Sequence, residues 1–125
     1  MRHQRGFSLI EVLVVIVMIG VLAGVAISQF ASYRARSFDG KVAATIRGVA
    51  TSEEAYYAEN REYAEQVDAL GNIATSDVAI ALSPGNSGDL GTSFKVVGTH
   101  PSASRTYTWV SDPDPGEPNL LESNS

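Results

Sequence analysis

The stretch that decides the fold is Phe7–Ala31, FSLIEVLVVIVMIGVLAGVAISQFA, which holds 25 residues and one charged side chain, Glu11. A helix of this length spans roughly 38 Å, at a rise of about 1.5 Å per residue, and a bilayer hydrocarbon core is about 30 Å thick. So uniform an apolar run is unusual for a buried helix of a globular protein, and we predict a membrane helix. The polar segment before it, MRHQRG, carries two arginines, which predicts a cytoplasmic N-terminus.

The helical pattern continues beyond the apolar run. The chain has no proline between Tyr33 and Tyr63. Apolar residues recur there at spacings of three, four and seven, which marks one face of an amphipathic helix: Val42, Ile46, Val49 and Tyr56. Gly71 and Asn72 give a stop signal. We predict a single helix from about Ser8 to about Gln66.

The remainder of the chain has the composition of loops and short strands. Strand-like runs occupy residues 78–82, 93–97 and 105–110, and residues 98–104 are predicted to join the last two as a hairpin. The tail, residues 112–125, contains three prolines and is predicted to be extended or disordered. The predicted fold is therefore α+β, with a long N-terminal α-helix packed on a small antiparallel β-sheet head.

Composition excludes several classes of function. The formal net charge is −5. If the polar segment of residues 1–6 were removed, Arg2 and Arg5 would be lost, leaving 7 basic and 14 acidic residues, or −7. A chain with this balance and no Lys/Arg-rich patch is not expected to bind nucleic acid. There are no cysteines, so the small head has no disulfide to stabilise it.

The sequence also lacks the pattern of an active site. His3 lies in the basic leader and His100 stands alone, so neither a histidine-based triad nor a zinc site is supported. Three carboxylates stand close together in the tail, Asp112, Asp114 and Glu117, and calcium binding there is an open alternative. The prolines among them restrict the loop, however, and acidic tails are usually solvated. We therefore expect no metal, no cofactor and no enzymatic activity.

The junction of leader and helix carries the informative motif, Arg5-Gly6-Phe7-Ser8-Leu9-Ile10-Glu11-Val12-Leu13. It resembles the prepilin peptidase site of type IV pilins and type II secretion pseudopilins. The resemblance covers about the first 35 residues and continues more loosely through TSEEAYYAENREYA and HPSASRTYTWVS. It implies cleavage between Gly6 and Phe7, N-methylation of Phe7, and a role of Glu11 in assembly.

The chemistry of Glu11 fits that resemblance. An ionised carboxylate within an apolar helix is unfavourable without a partner, and no Lys or Arg lies within helical reach on the mature chain. Cleavage after Gly6 would create a positive charge, the amine of Phe7. A pair between Glu11 of one subunit and the Phe7 amine of the next would neutralise both charges and fix the axial stagger. The alternative is that Glu11 lies near the headgroups and stays solvated.

Three small residues at four-residue spacing, Gly20, Gly24 and Ser28, interrupt the apolar helix. The resembled family commonly has a proline at the position of Ser28, whereas this chain has none before Pro84. The spacing is typical of a close helix-packing face. Local unwinding of the helix in the filament is the alternative role.

Aromatic residues recur along the predicted helix: Phe30, Tyr33, Phe38, Tyr57 and Tyr63. Their spacing resembles that of short pilins for which electron conduction along aromatic side chains has been proposed. We interpret them first as packing residues of the filament interior and the head.

The predicted organisation has four parts: a cleaved leader (1–6), a hydrophobic membrane and filament-core helix (7–33), an amphipathic half of the helix (34–66), and a β-rich head with an extended tail (67–125). The resemblance implies a structural pilin, major or minor. Its partners would be copies of itself, an inner-membrane prepilin peptidase and an assembly platform. It would span the bacterial inner membrane once before assembly, and lie in an extracellular pilus or periplasmic pseudopilus afterwards.

Two other functions stay open from the sequence. One is a pseudopilin of a type II secretion system, which shares the same N-terminal chemistry. The other is a secreted or periplasmic binding module whose ordinary signal peptide is cleaved after a small-residue site such as Gly24-Val25-Ala26. A mature chain that begins at Phe7 would support a pilin or a pseudopilin and would argue against a secreted binding module.

Overall fold

The computed structural model describes residues 5–73, 75 and 77–124. Its elements follow in this order: helix α1 (Leu9–Asn60), a 3₁₀ helix η1 (Val67–Leu70), and strands β1 (Ala79–Pro84), β2 (Phe94–Thr99), β3 (Arg105–Val110) and β4 (Leu120–Asn124). Each strand pairs antiparallel with the next along the chain, giving one sheet of order β1-β2-β3-β4. The predicted α+β class is confirmed.

The chain divides into two compact units, with the boundary between Arg34 and Ala35. The first unit contains the apolar part of α1, whose large hydrophobic side chains are exposed. Within the described residues, α1 is the one helix that is long and apolar enough to cross a membrane, judged by length and composition. None of the 18 most apolar consecutive residues of this helix is buried.

The core of the second unit lies between α1 and the sheet. Val42, Ile46 and Val49 are fully buried on the helix, as the apolar spacing predicts. Tyr56, also predicted on this face, is half-buried. Tyr57 packs against the core instead, because eleven residues from Ile46 are about three helical turns.

The sheet presents rows of paired residues on its helix-facing side. One row runs across all four strands through the paired residues Leu82, Val96, Trp109 and Leu120. In the next row Gly98 lies opposite Ile46, and a Cβ at Gly98 would come within 2.7 Å of the Ile46 Cδ1 atom. Glycine at this point therefore lets the helix approach the sheet closely.

The helix ends at Asn60, six residues before the predicted end at Gln66. Arg61 adopts a left-handed backbone conformation with φ of 61°, and its N–H donates to the Tyr57 carbonyl at 2.8 Å. The chain then turns, and the Ala64 N–H donates to the carboxylate of Glu53 at 2.8 Å. The predicted continuation of α1 to Gln66 was wrong, because the buried Glu53 carboxylate accepts a backbone hydrogen bond from the turn that follows Asn60.

The tail is more ordered than predicted. Strand β4 pairs with β3 over its whole length, so Leu120–Asn124 is extended, which is one of the two predicted alternatives, but it belongs to the sheet, which was not predicted. The prolines lie before this strand, in the connection after β3. Asn119 closes that connection, because its Nδ2 donates to the Val110 carbonyl at 2.9 Å while the Val110 N–H donates to the Asn119 carbonyl at 2.8 Å.

A buried carboxylate fastens the helix to the start of β3. Asp39 accepts hydrogen bonds from the Ser104 N–H at 2.8 Å, the Ser104 hydroxyl at 2.6 Å and the Arg105 N–H at 3.1 Å. Burial opposes ionisation of this carboxyl, but the donors outweigh it and hold the pKa of Asp39 below its usual value. The contact spans 65 positions in the sequence and fixes one end of the sheet on α1.

Asp112 connects the start of the tail to the loop between β1 and β2. Its carboxylate accepts from the backbone N–H groups of Asn86 at 2.9 Å and Ser87 at 2.8 Å. One of the three tail carboxylates is thus engaged in a structural contact. Within the described residues, no group of three or more His, Cys, Asp or Glu side chains is placed to hold a metal ion.

Candidate processing and assembly site

The segment before α1 is an exposed stretch without regular structure. Residues 5–8 carry no helical or strand assignment, and the Phe7 side chain is 87% exposed. A Cβ placed on Gly6 would meet no heavy atom of the described chain within 4 Å. The fold of the chain itself therefore does not require glycine at position 6, and the backbone between Gly6 and Phe7 is open to an enzyme.

Ser8 and Glu11 cap the start of the helix reciprocally. The Ser8 N–H donates to the Glu11 Oε2 atom at 2.7 Å, and the Glu11 N–H lies 3.3 Å from the Ser8 hydroxyl oxygen that accepts it. This is the arrangement called a capping box, in which two backbone donors of the first turn are satisfied together. It fixes the position of the Glu11 carboxylate at the N-terminal end of the helix.

The geometry of this cap has consequences for charge. The helix N-terminus is the positive end of the helix dipole, so a carboxylate there is favourably placed. Hydrogen bonding occupies Oε2, while Oε1 accepts no hydrogen bond from the described residues. Cleavage after Gly6 would leave the Ser8 N–H in place, because the Phe7–Ser8 peptide bond is retained. The cap and a second, external interaction of Glu11 are therefore compatible.

The small residues of the apolar helix all lie exposed. Cβ atoms placed on Gly20 and Gly24 would meet no heavy atom within 4 Å in the described chain. The Ser28 hydroxyl donates to the Val25 carbonyl at 3.0 Å. This local bond satisfies the hydroxyl within the helix, which is the usual solution for serine in an apolar helix.

The predicted helix aromatics fall into two groups. Phe30 and Tyr33 are 70% and 63% exposed in the first unit. In the second unit, Phe38 stacks on His100 with ring centroids 4.3 Å apart, and Tyr57 stacks on Tyr63 at 4.6 Å. Tyr63 lies beyond the end of α1 rather than on it, and its ring also packs against that of Phe94.

Sequence reasoning missed three polar residues that the structure makes prominent. Ser8 had a visible signal, since Ser-x-x-Glu before an apolar run is the sequence pattern of a capping box. Asp39 and Glu53 each stand seven residues from Ile46 and are 8% and 0% exposed. Seven residues are close to two helical turns, so the apolar periodicity itself placed both carboxylates on the buried face.

Comparison with known proteins gives the context of this site. Residues 1–27 match the family model described as the prokaryotic N-terminal methylation motif. The chain is 31% identical over 69 residues to the type IV major pilin protein PilA of Myxococcus xanthus, covering 55% of this chain and 31% of that protein. It is 37% identical over 70 residues to the type IV wide pilus major component PilA4 of Thermus thermophilus, covering 56% of this chain and 53% of the relative.

A longer match is to a type IV major fimbrial protein FimA of Dichelobacter nodosus, 31% identical over 94 residues, covering 68% of this chain and 59% of the relative. The chain thus spans between about a third and three fifths of the length of these curated relatives. The similarity to type IV pilins and the methylation motif confirm the resemblance read from the leader and helix.

Proposed function

We propose that this chain is a type IV pilin, a structural subunit that is processed at its N-terminus and polymerises into a pilus-like filament. The observation that carries the proposal is the exposed Gly6–Phe7 junction, followed directly by a helix that is apolar, long enough to cross a membrane and capped by Glu11. In this assignment residues 1–6 are the leader, and prepilin peptidase cuts between Gly6 and Phe7 and methylates the new N-terminus.

Before assembly, the subunit is held in the inner membrane by the apolar part of α1, with its N-terminus in the cytoplasm. The exposed apolar side chains of this part support the proposal, because they need either lipid or neighbouring helices to cover them. An assembly platform transfers the subunit into the filament, where copies of the same helix replace the lipid. The protein has a structural role and no catalytic one.

Assembly rests on a pair of charges between neighbouring subunits. Glu11 of one copy meets the Phe7 amine of the next, which neutralises both groups in an apolar core. The capping box supports this arrangement, since it fixes the carboxylate at the end of the helix and leaves one of its oxygen atoms for an outside donor. An unpaired ion in that core would be strongly unfavourable. Gly20, Gly24 and Ser28 are proposed to let neighbouring helices pack closely.

The relatives named above support a pilin rather than a pseudopilin, since their names describe pilus or fimbrial components. Mass spectrometry of filaments sheared from the cell surface tests the proposal. We expect a mature chain that begins at Phe7 and is one methyl group heavier than its sequence. A mature chain that begins at Ile27 would instead support a secreted binding module. If the protein is absent from the fibres altogether, the proposed function is overturned.

A further inference from the structure

The residues that follow the apolar run carry a surplus of positive charge in an otherwise acidic chain. Residues 32–52 hold four basic residues and one acidic residue, a balance of +3: Arg34, Arg36, Lys41, Arg47 and Asp39. Residues 53–125 hold three basic and twelve acidic residues, a balance of −9. Asp39 is buried and accepts three hydrogen bonds, so its charge is largely offset. We call residues 34–47 the basic segment.

The basic segment begins where the hydrocarbon core of a membrane would end. Tyr33, just before it, is 63% exposed, and tyrosine is enriched at the interface between lipid and water. Arg36 stands five residues after Ala31, the end of the apolar run, which is about 8 Å at the rise of a helix. The headgroup region adds about 5–8 Å on each side of the hydrocarbon core. The first arginines of the basic segment therefore fall at the depth of the lipid phosphates.

A polar cavity of about 460 Å³ opens in the second unit at the beginning of the basic segment. It is lined by residues of α1 and by residues at the start of β3: Arg36, Asp39, Gly40, Ser104, Arg105 and Tyr107. Arg105 forms an ion pair with Glu122 in which both side chains are about half exposed. Such exposed pairs contribute little free energy, so an incoming anion can replace Glu122 as the partner of Arg105. We call this cavity the arginine pocket.

Two arginines in the lining of one cavity favour a phosphate as its ligand. The planar guanidinium group donates paired, charge-assisted hydrogen bonds that match the spacing of phosphate oxygen atoms. The carboxylate in the lining, Asp39, already accepts from the Ser104 N–H, the Ser104 hydroxyl and the Arg105 N–H. These donors reduce the repulsion that its charge would exert on an anion, which leaves the two guanidinium groups to select the ligand.

We infer that the arginine pocket binds the phosphate group of an anionic phospholipid and so holds the head on the periplasmic leaflet before assembly. An anionic headgroup fits better than a zwitterionic one, because the other cations of the basic segment repel a choline or ethanolamine group. The anionic surface also repels the acidic remainder of the head, so attachment is confined to the basic segment. The inference rests on the proposed function, because it takes the apolar part of α1 as spanning the membrane.

Native mass spectrometry of the full chain tests this inference. The chain is inserted into nanodiscs of equal parts phosphatidylglycerol and phosphatidylcholine with the same acyl chains, and the lipids that stay bound after release are counted. We expect wild type to retain about five times more phosphatidylglycerol than phosphatidylcholine. Arg36→Gln with Arg105→Gln should bring this ratio close to one. Arg61→Gln removes one positive charge at an exposed position outside the pocket and should keep the wild-type ratio.

Two further measurements separate lipid binding from folding and from free phosphate. Arg36→Gln alone leaves the pair of Arg105 with Glu122 intact, so it should keep the wild-type melting temperature by circular dichroism and still lower the lipid ratio. Inorganic phosphate, added to the wild-type nanodiscs at constant ionic strength, should leave the ratio unchanged, because the lipid is presented beside the pocket at a high effective concentration. A ratio that falls with added phosphate would assign the pocket to free phosphate and overturn the lipid as its ligand.

The outcomes distinguish this inference from the proposed function. A wild-type chain that does not insert into the nanodiscs overturns the membrane step of the proposed function. An inserted wild-type chain that retains both lipids equally overturns the lipid site alone, and so does a wild-type ratio in the double variant. A loss of the ratio in Arg61→Gln as large as in Arg36→Gln would show attraction by net charge and would also overturn the pocket.

Discussion

At the scale of single residues, Glu53 is the least expected feature of the head. It is fully buried, and of its two oxygens Oε2 accepts the Ala64 N–H while Oε1 has no partner among the described residues. Burial raises the pKa of this carboxyl above its usual value, the Ala64 hydrogen bond opposes that rise, and the nearby charge of Glu54 adds to it. The residue holds the turn after α1, and its burial disfavours the charged form of the carboxyl.

A pH dependence follows from this environment. Because the folded-state pKa of Glu53 is raised, its contribution to the free energy of unfolding is fully present below the usual value near 4.5 and is lost as pH rises through the folded-state pKa. Glu53→Gln keeps an acceptor for Ala64 and removes the charge. We expect the variant to lose less stability than wild type between pH 4.5 and 7 in denaturant titrations of a soluble fragment from Ala35 to Ser125.

The difference between the two proteins isolates this residue. Asp39 and Asp112 have lowered pKa values, so their contributions to the free energy of unfolding are lost only as pH falls below the usual pKa of an aspartate. This loss should be the same in wild type and in Glu53→Gln. Parallel stability curves for wild type and Glu53→Gln above pH 4.5 would contradict the assignment of a raised pKa to Glu53. Glu59→Gln, which removes a negative charge at an exposed position of α1, is the control and should change the curve little.

At the scale of elements, the packing of α1 on the sheet dominates the stability of the head. Ile46 is fully buried, and Gly98 of β2 approaches it directly. Ile46→Ala should lower the free energy of unfolding of the soluble fragment by about 2–5 kcal/mol, because it removes apolar contacts and leaves a cavity. Thermal unfolding by circular dichroism measures this. Arg47→Ala, at the adjacent exposed position, should change stability by less than about 0.5 kcal/mol, and an equal loss from both variants would contradict the assigned face.

The elements also show what could be predicted from sequence and what could not. Periodicity located α1 and its buried face, and β-rich composition located β3 with its observed bounds, Arg105–Val110. The end of α1 was missed because it depends on Glu53, a contact across 11 positions, rather than on the local stop signal at Gly71. Strand β4 was missed because its partner, β3, supplies the hydrogen bonds, which local composition beside three prolines does not reveal.

At the candidate site, too, features that depend on neighbouring residues could be predicted from the sequence, and those that depend on distant residues could not. Gly6, Phe7 and Glu11 form a local motif within six consecutive residues, so sequence alone can propose their roles. The reciprocal bonds between Ser8 and Glu11 are equally local and had a recognisable pattern. Asp39, in contrast, accepts hydrogen bonds from Ser104 and Arg105, which lie 65 and 66 positions away in the sequence. No local sequence pattern predicts a contact between residues so far apart along the chain.

At the scale of the whole molecule, the proposed processing would decide whether the subunit leaves the membrane. Gly6→Val should block cleavage, because a branched side chain would intrude where the peptidase approaches the scissile backbone. The structure gives the chain itself no need for glycine there, so the variant should insert and fold normally. Immunoblots of membrane fractions should show uncleaved chain. Gly20→Ala, at a helical glycine outside the junction, should be cleaved as wild type, and normal maturation of Gly6→Val would contradict the assigned site.

Assembly tests the proposed charge pair between Glu11 and the Phe7 amine of a neighbouring subunit. Glu11→Leu should insert into the membrane at least as well as wild type, since it removes a carboxylate from an apolar span. Cleavage after Gly6 should largely survive, because the scissile bond is four residues away. Fibres should be lost, because a buried amine without its counter-charge costs about 3–5 kcal/mol at every subunit. Glu11→Asp should be intermediate, since the charge remains but its reach is shorter by one methylene group.

Glu11→Gln separates the charge from the helix cap. Leucine removes both, whereas glutamine still accepts the Ser8 N–H and preserves the capping box while carrying no charge. If the ion pair drives assembly, the Gln variant should fail to form fibres as completely as the Leu variant, although its helix starts at the same residue. Mature protein, membrane fraction and sheared fibres can be quantified in the same strains. Wild-type fibre yield from Glu11→Gln would show that the cap, not the charge, is what assembly requires of this residue, and the subunit stagger would then have to come from the packing of the helices themselves.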